Sequence, residues 1–198
     1  VEISAKIVKE LRDKTGVGMM DCKDALRESN GDFEKAVDYL RKKSLATAER
    51  RSTRTASSGL VSSYIHFNNS IGVLIEVNCE TDFVANTDQF KDFVSDIAMH
   101  IAAANPAYLK REDVKEDVLK KEKEIYMLQA QESGKPEKIL EQIAEGKLTK
   151  FFKDNCLMEQ AFVKNPDISI YDYLMQKVGQ TGEKIEIKRF VRFALGEV

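Results

Sequence analysis

Tryptophan is absent from this 198-residue chain, and proline and cysteine occur three times each. Cys22, Cys79 and Cys156 are odd in number and form no CxxC pair. That excludes a disulfide frame or a paired-thiol zinc site and reads as reduced thiols. Histidine occurs only at His66 and His100, and no Ser-His-acid spacing, Walker loop, GxGxxG or His/Cys cluster is visible. Both histidines read as core or surface residues; a hydrolase using His100 and Asp82 is what an enzymatic reading would have to rest on. No apolar run approaches the ~18 residues of a bilayer span, and Val1-Glu2-Ile3-Ser4 has no signal-peptide character. The expectation is a cytoplasmic chain without membrane contact. Charge of either sign is not in excess: 31 Lys+Arg stand against 33 Asp+Glu, so no positive field draws nucleic acid. What remains is a globular composition, 42% hydrophobic and 32% charged, in a length suited to one or two domains.

Three short helices are expected first. Ile3, Ile7, Val8 and Leu11 recur at helical spacing, and Gly16 and Gly18 break the pattern. A second helix carries Cys22, Ala25 and Leu26 and stops at Asn30-Gly31; Asp32 caps a third with Phe33, Ala36, Val37 and Leu40 inward. Met19 and Met20 follow the first loop. Adjacent helical positions point about 100° apart, so one inward face does not take both fully, and methionine suits an adaptable contact surface. Arg50 to Gly59 is polar, small and basic and reads as a linker; as an RNA-binding arm it lacks interleaved aromatics.

Val61, Ser63, Ile65 and Phe67 alternate with Leu60, Ser62, Tyr64 and His66, as in a strand with one buried face. Asn68-Asn69-Ser70 signals a hairpin turn, and Ile71, Val73, Ile75 and Val77 form the next apolar face. A third strand is expected at the far end, with Ile185, Ile187, Val191 and Phe193 on one side. Between the second strand and an amphipathic helix over Thr87 to Ala104 lies Asn78-Cys79-Glu80-Thr81-Asp82-Phe83-Val84-Ala85-Asn86. Phe83 fits neither flanking period, and Asn86 with Gln89 resembles a capping box. Sequence physics alone leaves two readings of Asp82-Phe83: a turn stapled onto its helix, or a preorganised projection.

From Arg111 to Asn155 two charged helices flank Ser133-Gly134-Lys135-Pro136. Val114, Val118, Ile125 and Leu128 face Ile139, Ile143, Leu148 and Phe151 across a narrow seam. Beyond it come a short extended segment at Glu159 to Val163, a helix capped by Ser169, and Gly179 and Gly182 leading into the last strand.

Gly16 to Cys22, Asn78 to Asn86, Ser133 to Pro136 and Arg189 to Gly196, in that order, resemble the translation elongation factor Ts family, in its short bacterial-type form. The run Ala25 to Val37 also looks like a ubiquitin-associated-type (UBA-like) module. The resemblance covers essentially the whole chain. It implies an α+β fold with a UBA-like three-helix domain over 1–54, a linker to about 59, and a core domain over 60–198. That core would hold a three-stranded antiparallel sheet with covering helices and an antiparallel helical hairpin inserted at 111–155.

The activity implied is guanine-nucleotide exchange on elongation factor Tu, in its GDP-bound and nucleotide-free forms, without covalent chemistry, cofactor, metal or direct nucleic-acid contact. Arg12, Met19 and Met20 would touch the catalytic domain of Tu. Thr81, Asp82, Phe83 and Val84 would bind beside the nucleotide pocket, Asp82-Phe83 entering between helices near the magnesium site. Longer members carry a second strand-strand-helix unit and a helical tail; here one unit is visible and the sequence stops at Val198, so the contacts of those parts are not carried over. A lone three-stranded sheet has exposed edges, and the shorter members imply a homodimer through the core sheet. The alternative is a non-catalytic adaptor binding a helical or ubiquitin-like partner through residues 1–54.

Overall fold

The computed structural model describes residues 3–132 and 137–197; the expected turn at Ser133-Gly134-Lys135-Pro136 lies outside the described residues. The chain divides into two compact units, one of Val1–Ser62, Ile75–Asp96 and Asp172–Lys188, the other of Ser63–Leu74, Ile97–Tyr171 and Arg189–Val198.

In the first unit, helix α1 (Ala5–Thr15) starts where the Ser4 hydroxyl accepts the Ile7 N–H at 3.4 Å. It ends on Gly16, whose φ of 67° is the left-handed cap that lets its N–H reach the Arg12 carbonyl. Helices α2 (Met19–Glu28) and α3 (Phe33–Arg51) follow, and Asp32 caps α3 by accepting the Lys35 N–H at 3.1 Å, as expected. Leu11, Cys22, Leu26 and Leu40 close the core of the three helices; each buried leucine contributes on the order of 1.5–3 kcal/mol. Helix α3 continues to Arg51, the second residue of the stretch read as a linker. Ala46 and Ala48 favour it, and Ser44 is buried against Gly179, where a Cβ would stand 2.1 Å from the Ser44 Oγ. Gly179 therefore sits inside a helix, α8 (Ile170–Thr181), rather than in the loop expected after it. The near absence of a side chain is what allows the two helices to approach.

Strands β1 (Ser58–Ile65), β2 (Ile71–Cys79) and β5 (Ile185–Ala194) make a three-stranded antiparallel sheet in the order β1-β2-β5, giving the expected α+β fold. The hairpin turn is where the sequence placed it: Asn69 has φ 56° and the His66 N–H donates to the Ile71 carbonyl at 2.9 Å. That link decides which face of β1 turns inward. Stepping two residues back sets Tyr64 beside the buried Val73, so the even-numbered residues face inward and Val61, Ile65 and Phe67 face out. The expected buried face of β1 is the exposed one. A similar correction applies to β5. Ile185 and Ile187 are buried, but Arg192 turns inward to donate to the Ala102 carbonyl at 3.3 Å, leaving Val191 and Phe193 exposed.

Helix α4 (Asp82–Ala85) and helix α5 (Asp88–Ala104) follow β2. The inward stripe of α5 is buried as expected: Phe90, Phe93 and Val94 in the first unit, Ile97, Ile101 and Ala102 in the second. The second unit also holds α6 (Glu116–Glu132), α7 (Glu137–Asn155) and a small antiparallel pair, in which β3 (Ala161–Phe162) lies in the extended segment expected at Glu159 to Val163 and its partner β4 (Asn165–Ser169) was not foreseen. The seam between α6 and α7 runs through Ala130, Leu140, Ala144 and Phe152, while Ile125, Leu128 and Ile139 are exposed. Of the residues expected there, Val114 is buried, and Val118, Leu148 and Phe151 pack in the same cluster as Phe152. His100 is fully buried: its Nε2 lies 3.0 Å from Gln160 Oε1 and its Nδ1 accepts the Val163 N–H at 3.3 Å. Burial holds its pKa below the ordinary value, and it is a structural histidine.

Candidate partner-binding site

The stretch between β2 and α5 is not a simple junction. Thr81, in extended conformation, caps a separate turn of helix, α4, by accepting the Val84 N–H at 3.3 Å. The expected Asn86 cap is displaced, because Asn86 instead ends this turn and donates through its side chain to the Asp82 carbonyl at 2.9 Å. Thr87 takes over as the cap of α5, accepting the Phe90 N–H at 3.3 Å and donating to the Val84 carbonyl at 2.7 Å. Within this turn the side chains divide by face. Val84 and Ala85 are 7% and 4% exposed and anchor it, whereas Phe83 is 80% exposed. Asp82 is exposed beside it, and its carboxylate makes no hydrogen bond or ion pair among the described residues. The staple reading of Phe83 is therefore set aside: a phenyl ring stands in solvent on a turn whose other side is buried.

The turn is also held from far along the sequence. The Glu183 carboxylate accepts both the Thr81 N–H at 3.1 Å and the Thr81 hydroxyl at 2.7 Å. Next to it Glu80 accepts the Lys184 N–H at 2.7 Å and pairs with Arg54 at 3.0 Å, contacts that hold its carboxyl below the usual range, the Lys184 N–H first among them. Beneath, the buried Cys79 thiol donates to the Thr81 carbonyl, and burial followed by the Glu183 charge pushes its pKa up. Such a thiol is a packing group rather than a nucleophile. None of the Glu183, Lys184 or Arg54 contacts could be read from local pattern, since the partners lie far apart in sequence.

Met19 and Met20 open α2 with 41% and 68% of their surface exposed, and Arg12 is exposed in the last turn of α1. They lie in the same unit as the Asp82-Phe83 turn. Among the partner-binding residues expected from the sequence, Arg12, Met19, Met20, Thr81, Asp82 and Phe83 are thus presented to solvent, and Val84 is turned inward. A second exposed apolar surface lies in the other unit, where Ile65, Phe67, Leu74, Val191, Phe193 and Leu195 stand out on one sheet and its margins. The Leu195 N–H donates to the Ser70 carbonyl, continuing the pairing beyond β5. Among the described residues no group of three or more His, Cys, Asp and Glu side chains could hold a metal ion, and no helix is long and apolar enough to cross a membrane.

The family model described as "Elongation factor TS" matches residues 6–197 of the chain. A protein of Desulfosudis oleivorans named "Elongation factor Ts" is 59% identical over 195 residues, covering 98% of each chain. Its namesake in Carboxydothermus hydrogenoformans is 57% identical over 195 residues, 98% of this chain and 90% of the other. The one in Fervidobacterium nodosum is 55% identical over 197 residues and the full length of both.

Proposed function

The chain belongs to the elongation factor Ts family, and from that premise we propose that it is a guanine-nucleotide exchange factor for elongation factor Tu, acting in the cytoplasm. It binds the GDP-bound and nucleotide-free forms and performs no covalent chemistry. The observation that carries the reading is Phe83: an 80%-exposed ring on a turn fixed by Thr81, Glu183 and the buried Val84. A ring held in this way loses little freedom on entering a partner, which is what a wedge requires.

In such a GTPase a phosphate-cradling loop and a magnesium ion hold GDP. Phe83 pushes between helices of Tu and the Asp82 carboxylate comes beside the metal site, so the elements that hold metal and phosphate are displaced. Arg12, Met19 and Met20 dock the three-helix domain, residues 1–54, on the catalytic domain of Tu; Thr81 contacts Tu at the edge of the turn, and Val84 supports Phe83 from below. Linkage is reciprocal: a hundredfold weakening of GDP by the factor is a hundredfold weakening of the factor by GDP, about 2.7 kcal/mol. The next nucleotide therefore expels the factor.

Two copies of the chain pair through the exposed sheet face of Phe67, Leu74 and Phe193. The support for this is the apolar character of the face on a sheet of only three strands. The deciding experiment is stopped-flow release of a fluorescent GDP analogue from Tu with increasing amounts of this protein. Saturating acceleration supports exchange. Binding without acceleration would leave an adaptor, and its contacts would then be retained by residues 1–54 alone.

A further inference from the structure

A short segment from the last turn of α8 to the start of β5, Gln180 to Lys184, touches both expected contact surfaces while belonging to neither. Gln180 uses the two halves of its amide separately. Its Nε2 donates to the Thr15 carbonyl, and its Oε1 accepts from the Gln89 side chain. Gly16 leaves the space for this, since a Cβ there would stand 2.5 Å from the Gln180 Nε2. Three residues on, Glu183 grips both polar groups of Thr81. Lys184 then donates its N–H to Glu80 and its Nζ to the Ser52 and Arg54 carbonyls at 2.8 and 3.0 Å. The loop that opens onto Met19-Met20, the turn that bears Asp82-Phe83 and the end of α3 are thus tied to one five-residue stretch of chain.

We infer that Gln180–Lys184 is a clasp that fixes the spacing between the Met19-Met20 loop and the Asp82-Phe83 turn, with Gln180 as a positioning residue for exchange. The geometry stands by itself; the consequence for exchange rests on the reading proposed above. Two contacts on one partner reinforce each other only when the distance between them is set beforehand, because otherwise the second contact must order the chain that links it to the first. A primary amide suits the joint because it donates and accepts at once. A carboxylate offers no donor to the Thr15 carbonyl, and an ammonium no acceptor to Gln89. As a link between neutral groups it is also insensitive to salt.

The test uses the full chain in two measurements. Nitroxide labels at Met20→Cys and Phe83→Cys report the distance between the two surfaces; the native thiols are buried, so the new exposed ones react first. A narrow distance distribution is expected without further change, and a broad one with Gln180→Leu. Gln180→Glu keeps the acceptor for Gln89 and loses the donor to Thr15, so it broadens the distribution too and carries the test if the leucine variant does not fold. Distributions that stay narrow in both overturn the clasp.

In the release assay, with unlabelled protein, Gln180→Leu lowers the saturating rate of GDP release roughly tenfold, equivalent to ~1.4 kcal/mol. Adding Phe83→Ala to it then costs less than the same change in the native chain, because a misplaced wedge has less to lose. Simple destabilisation predicts full additivity, which would overturn the positioning role, as would an unchanged release rate in a variant with broadened distances. A native chain that does not speed release overturns the exchange reading alone, and the label distances still decide the clasp.

Discussion

Replacing Phe83 by alanine separates two quantities that move together for most aromatic residues. A core Phe→Ala change costs about 3–5 kcal/mol of folding stability. Phe83 is 80% exposed, its turn is anchored by Val84 and Ala85, and alanine is the better helix former. The free protein should therefore lose no more than about 0.5 kcal/mol, the range of ordinary surface changes. In the complex proposed above the same ring would become buried. Four-fifths of the ~200 Å² that an aromatic side chain buries, at ~25 cal/mol per Å², sets an upper bound of about 4 kcal/mol. Ordering costs are small because the turn is already fixed, so about 2–4 kcal/mol is expected, the range of interface hot spots. If the contact forms as GDP is displaced, saturating release slows by roughly 30-fold or more. The assay pairs a urea unfolding curve with stopped-flow release from Tu. Release within twofold of the native chain, or a stability loss above about 1 kcal/mol, would refute the reasoning.

Glycine offers a paired control. Gly179→Ala drives a Cβ to 2.1 Å from the Ser44 Oγ and 2.8 Å from its Cβ, so calorimetry should show it destabilised by about 1–3 kcal/mol. Gly146→Ala meets nothing within 4 Å in the middle of α7, so it should be stabilised by roughly 0.5–1 kcal/mol. His100 predicts an acid limb. Its folded pKa lies below the ordinary 6.5, so the unfolded chain takes up the proton first. Stability is complete above pH 6.5 and declines as the pH falls toward the folded value, by at most ~1.4 kcal/mol per pH unit. Denaturant midpoints measured from pH 7.5 to 5 should show this slope in the native chain and not in His100→Asn. For the pairing of two chains, Phe193→Lys places an ammonium on the exposed sheet face, and sedimentation should report a monomer where the native chain gives a dimer. A native monomer at micromolar concentration would refute the pairing.

Local chemistry was legible in the sequence, and long-range consequence was not. The Asp32 cap, the Asn69 turn, the stripe of α5 and the inward face of β2 each depend on residues within a few positions of one another. The face of β1 was misjudged because alternation says that a strand has two sides, while only the His66–Ile71 link of the hairpin says which one is covered. Asn86 and Thr87 compete as caps, and the competition is settled by Thr81, which starts a helical turn that no periodicity of four residues could announce. The exposed Phe83 and paired methionines were visible as residues without a claim from the core. Glu183 and Gln180 were not visible, since nothing nearby in the chain distinguishes them from ordinary loop and helix polar groups.

The bonds between Thr81 and Glu183 also set an order of events on the ribosome. They join residues 102 positions apart, whereas the core of the first three helices is complete once Leu40 has emerged. At ~5–20 residues per second, roughly 5–20 s of synthesis separates the two ends of the first contact. A nascent chain can therefore hold a folded helical head while the phenyl-bearing turn still lacks its far tether. A chain cut short before Gln180 would be born with that head and without the far tether of the turn, so the turn becomes fixed only after Glu183 has emerged.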